Sequence, residues 1–112
     1  MTQIESEGEW FAALPDRSKL LFLVVLCNGL TIAGRNSYEP QTDRLERPEQ
    51  LRKINEIQHR VSACMRNLLT GHVSISFEQS IVKWVLAQTD AEFGRLMSWT
   101  WHAAKERMSN AA

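Results

Sequence analysis

"LLFLVVLCNGLTIAGRNSYEP", Leu20 to Pro40, decides how this chain is read. The stretch opens on an unbroken apolar run to Leu26, turns small at Cys27 and Gly29, becomes polar, and stops at a proline. Apolar residues on nearly every side of a helix mark one that neighbours surround, so the run predicts a central core helix from about 15 to 37. Gly29 and Ala33 lie four apart on one face, where small side chains let a neighbouring backbone approach closely. A membrane-spanning helix needs about 20 predominantly apolar residues. By that measure the run is too short, and Asn28 and Arg35 interrupt it. Met1 to Lys19 is net acidic, whereas a secretory leader opens on positive charge, so a soluble, cytoplasmic protein is expected.

Working outward, helix signals dominate on both sides. Upstream, Ser6 followed by Glu9 has the spacing of a capping box, with Trp10, Phe11 and Leu14 as a short apolar face over 6–14. Pro15 ends that helix and suits the first position of the next. Downstream, "YEPQTDRLERPEQ" is the longest irregular segment, and Pro48 opens a helix over 48–70 that Gly71 closes. Leu51, Ile54, Gln58, Val61, Met65 and Leu68 follow a heptad seam there, with Gln58 as a polar interruption of the kind that fixes register. "HVSIS" reads as an extended connection. Helices over 76–88 and 90–108 follow, separated by a break at a second capping-box pattern, Thr89 with Glu92. The fold class is therefore all-α: one domain over 1–112, a helical bundle of four main helices plus a short N-terminal helix.

Composition fits that reading. A chain of 112 residues, 44% hydrophobic and 23% charged, is an ordinary globular domain. Lys+Arg and Asp+Glu balance at 13 each, so no global field favours nucleic acid or an anionic membrane. Cys27 and Cys64 are far apart in apolar helical patterns, which predicts free, buried thiols rather than a disulfide scaffold. His59, His72 and His102 lie on different segments without metal-ligand spacing, so no metal and no cofactor is proposed. The chain has no nucleophile elbow, no glycine-rich phosphate loop and no carboxylate pair on a buried face, and it offers no catalytic residue.

Three candidate sites remain. Trp99 and Trp101 are two residues apart, so they point about 200° from each other on a helix. If Trp101 is core, Trp99 emerges on the flank that carries Leu96, and exposed aromatics mark contacts. Gln58, Leu96 and Trp99 are thus candidate interface residues, and a homodimer or a protein-interaction module is the leading expectation. The alternative is a small anionic ligand at the polar end of the central helix. There Asn28, Arg35, Asn36 and Tyr38 would line a pocket and Arg35 would offer its fork to the anion. Arg52, Lys53, His59, Arg60 and Arg66 form a basic face on the 48–70 helix that suits phosphate or an acidic protein or, more weakly, nucleic acid, beside the plain reading of a solvated face. Glu49 and Glu56 are spaced to pair with part of that charge.

Overall fold

Among the described residues the chain forms five helices and one short pair of extended segments. These are α1 (Gln3–Ala12), α2 (Asp16–Asn36), β1 (Tyr38–Glu39), β2 (Arg44–Leu45), α3 (Pro48–Thr70), α4 (Ile75–Leu86) and α5 (Ala91–Ala111). This computed structural model describes residues 3–36, 38–39, 44–45, 48–71 and 75–111. The fold is an all-α bundle. Within the segment expected to be irregular, β1 and β2 pair antiparallel, Tyr38 opposite Leu45 and Glu39 opposite Arg44.

Helix ends differ from the sequence expectation where tertiary packing outweighs local capping. α1 begins at Gln3, so Ser6 is an interior residue and not an N-cap. Ile4 packs against the core and draws the preceding turn into the helix. The Pro15 carbonyl accepts the Lys19 amide at 2.9 Å, which places the proline just before α2 rather than at its first position. At α5 the cap is Asp90, not Thr89: its Oδ1 accepts the Phe93 amide at 2.7 Å, satisfying an otherwise orphan donor. α4 and α5 are separate helices with residues 87–90 between them. Gly71 ends α3 at a φ of 75°, the left-handed conformation that a helix C′ position requires. α4 starts at Ile75, so the end of "HVSIS" is helical, and His72 lies outside the described residues.

One apolar core draws on all five helices. Phe11 of α1 and Phe22, Leu23, Leu26, Leu30 and Ala33 of α2 are fully buried. They meet Ile54, Val61 and Cys64 of α3, Ile81 and Val85 of α4, and Met97 and Trp101 of α5. Trp10, Phe22 and Trp101 pack edge to face, with centroids 5.0 Å apart for Trp10–Phe22 and 4.8 Å for Phe22–Trp101. α2 packs most extensively on α3 and α5, while α4 lies against α1, α5 and α3. The close approach expected at Gly29 is made with α5: a Cβ there would stand 3.0 Å from Thr100 Cγ2.

Two expectations about α2 need correction. The helix is central but not surrounded, because Leu21 and Val24 are each 46% exposed. It is also long and apolar enough, by length and composition alone, to cross a membrane. Its fully buried side chains serve the bundle core instead. Neither Cys27 nor Cys64 is in a disulfide; Cys64 is buried and Cys27 half-buried. Burial pushes the Cys27 thiol above its ordinary pKa despite a hydrogen bond with Ser62.

Candidate functional site

The outer face of α2 joins Leu21 and Val24, expected in the core, to Asn28 and Arg35 of the candidate anion site. Leu21, Val24, Asn28, Thr31 and Arg35 recur every three or four positions and are all exposed. The first two are large and apolar, so the stripe runs from greasy to polar along the helix. Half-buried Val25 and Ile32 flank it on the side facing α5. With Gly29 they line a shallow depression whose α5 wall is Trp99, Thr100, Ala103, Ala104 and Arg107. Trp99 is 60% exposed at its edge. Its neighbour Trp101 is fully buried, as the 200° relation requires. Leu96 is half-buried against the core. Thus Trp99 faces Val25, Gly29 and Ile32 of α2 across this depression.

Asn28 and Arg35 stand on that same outer face, two turns apart and both exposed. Asn36 ends α2 and Tyr38 lies in β1, but their side chains are outside the described residues, as is any pocket they line. Gln58 faces inward to α2. Its Nε2 donates to the Cys27 carbonyl at 3.2 Å and to Thr31 Oγ1 at 2.8 Å. The register it fixes is therefore between two helices of one chain. Ile54 and Val61 of the same heptad seam are buried in the core, so the seam is already covered within the chain.

The basic face divides. Arg52 binds Glu49 through Nη2 at 2.7 Å, and Arg60 Nη2 binds Glu56 at 3.1 Å. The paired guanidinium holds the Glu49 carboxyl below its ordinary pKa, and Glu49 in turn raises that of Arg52. Arg52, Lys53 and Arg60 line a groove of about 350 Å³ against α4, while His59 and Arg66 are exposed away from its lining. Lys83, Trp84 and Gln88 supply the opposite wall; helical spacing puts Trp84 and Gln88 on the apolar face of their helix, and nothing in the sequence singled out Lys83. Lys83 and Trp84 are adjacent on a helix whose apolar face masks them, and only the pairing of α3 with α4 brings the two cationic edges together. Arg60 sits over the Trp84 ring at 5.1 Å and Lys53 over Phe93 at 5.3 Å.

A buried ionic cluster was also missed. Glu7 Oε2 accepts the Trp101 indole N–H at 2.9 Å, and Lys105 Nζ reaches the same carboxylate at 2.8 and 3.1 Å. Lys105 Nζ also lies 4.4 Å over the Trp10 ring. Burial alone would raise the Glu7 pKa; the Lys105 and Trp101 hydrogen bonds and the charges of Lys105 and His102 more than offset it, so the pKa is lowered. The sequence signal was the i,i+4 spacing that puts Glu7 on the same face as Phe11. Every polar atom of this carboxylate is engaged with α5, so the cluster ties α1 in place. No protein-family model, curated protein or solved structure matches the chain.

Proposed function

We propose that this protein is a self-associating helical module, a homodimer whose subunits meet through the outer face of α2 and the Trp99 edge of α5. The observation that carries this reading is Trp99, 60% exposed across a depression from Val25, Gly29 and Ile32 of α2, the helix whose outer stripe leaves Leu21 and Val24 each 46% exposed. Large apolar residues exposed on two adjoining helices mark an interaction site more than a scattered single residue such as Leu69 on α3 does. A twofold pairing would place each Trp99 and Val24 against the same patch of the other copy, the commonest symmetry of homo-oligomers. Asn28, Arg35 and Arg107 would form the polar rim, where water-accessible charges belong.

Light scattering on the whole chain tests this. The expected mass is twice 12.9 kDa. Trp99→Glu and Val24→Glu should each halve it while the helical circular-dichroism spectrum stays unchanged. A monomer at high concentration, with iodide quenching the fluorescence difference between wild type and Trp99→Phe freely, would remove the proposal. Partition of that monomer into lipid vesicles would instead assign the face to a membrane surface.

A further inference from the structure

The α3–α4 groove lies on a different part of the bundle from the α2–α5 face, and its composition is unusual for a chain of zero net charge. Four of its eight lining residues are cationic, Arg52, Lys53, Arg60 and Lys83, against a single acid, Glu56. The two arginines are already neutralised by Glu49 and Glu56 on their own helix. Among the described residues the two lysines make no ion pair, although they approach the groove from opposite walls. Like charges facing one another across a groove repel, and a bound anion relieves that repulsion.

The remaining charge of two lysines matches one phosphate monoester, which carries about −1.5 to −2 at neutral pH. Ile57 and Trp84 add apolar lining to the same groove, and a volume of about 350 Å³ is within the range of small-molecule sites. Lys83 also borders the neighbouring α1–α4 groove, whose lining includes Glu5 and Glu9. Its ammonium is thus positioned between an acidic and a basic rim, and a phosphate on the basic side gives it a partner.

We infer that the groove between α3 and α4 binds a small organic phosphate, the dianionic head held between Lys53 and Lys83 and the organic body against the stacked Arg60 and Trp84 side chains. Arg52 and Arg60 frame the site while paired to Glu49 and Glu56. The basic face of α3 is read in this way as half of a two-helix site.

Isothermal titration of the full chain with adenosine monophosphate, inorganic phosphate and adenosine tests the assignment. Saturable binding of the nucleotide is expected, with phosphate competing and adenosine binding at least tenfold more weakly. Lys53→Ala and Lys83→Ala should each weaken the nucleotide by at least fivefold, while the remote Arg17→Ala leaves it unchanged. Absence of saturable binding would overturn the inference, as would equal weakening by Arg17→Ala. Affinity that climbs steadily with oligonucleotide length, with a salt slope beyond a few phosphates, would replace the small ligand by nucleic acid and overturn it as well. None of these outcomes depends on the oligomeric state, so this proposal and the dimer stand or fall separately.

Discussion

Trp99 and Trp101 share a helix, a residue type and almost a position, and they have opposite fates. Trp101 is sealed in the core, edge-on to Trp10 and Phe22, with its indole N–H on Glu7. Trp99 stands at the rim of a shallow depression beside α2, 60% exposed. A rotation of about 200° along one helix separates a residue that stabilises the subunit from one that is available to a second molecule. Composition assigns the two tryptophans the same role, and only the neighbours distinguish them.

The contrast breaks most visibly at Trp101. Trp101→Ala should destabilise the fold by about 4 kcal/mol, because it opens a large cavity and leaves Glu7 short of a donor. Urea denaturation followed by circular dichroism measures it. Glu7→Gln removes the charge but keeps the shape, and should cost about 2–3 kcal/mol in the same assay, since Lys105 is left beside an uncharged partner. The pH dependence sharpens this. The folded-state pKa of Glu7 lies below its unfolded value, so its stabilisation is complete above the unfolded carboxylate pKa of about 4.3. It is lost as pH falls through the lowered folded value, and the Gln variant should lack that part of the acid transition. Trp99→Ala should change subunit stability by no more than about 0.5 kcal/mol, measured on the monomer at low concentration. A loss as large as that at Trp101 would place Trp99 in the subunit core and erase the contrast.

The architecture was legible in the sequence because periodic apolar residues record which helix faces are covered. α3 begins and ends where Pro48 and Gly71 place it, and Phe93, Met97, Trp101 and Ala104 form the inner face of α5. What the sequence concealed depends on pairings between distant segments. Glu7 reads as one more acid in an acidic N-terminal stretch until α5 brings Trp101 and Lys105 to it. Gln58 reads as an interface residue between chains until α2 supplies the Cys27 carbonyl and Thr31 hydroxyl. Likewise Lys83 belongs to no pattern on α4 alone and Trp84 reads as one more residue of its apolar stripe, until Arg52 and Lys53 face them across the groove. Local caps misled for the same reason: Ser6 carries the right signature, but Ile4 extends the helix past it by finding the core.

The bond between Glu7 and α5 spans nearly the whole chain, and Gln3 reaches His102 across a comparable distance, 3.0 Å between their side-chain nitrogens. During synthesis α1 must therefore wait for α5 before its carboxylate finds a counter-charge. Until then the Trp10–Phe22 pair lacks Trp101, its third ring. Closure of the bundle is thus set by the arrival of α5.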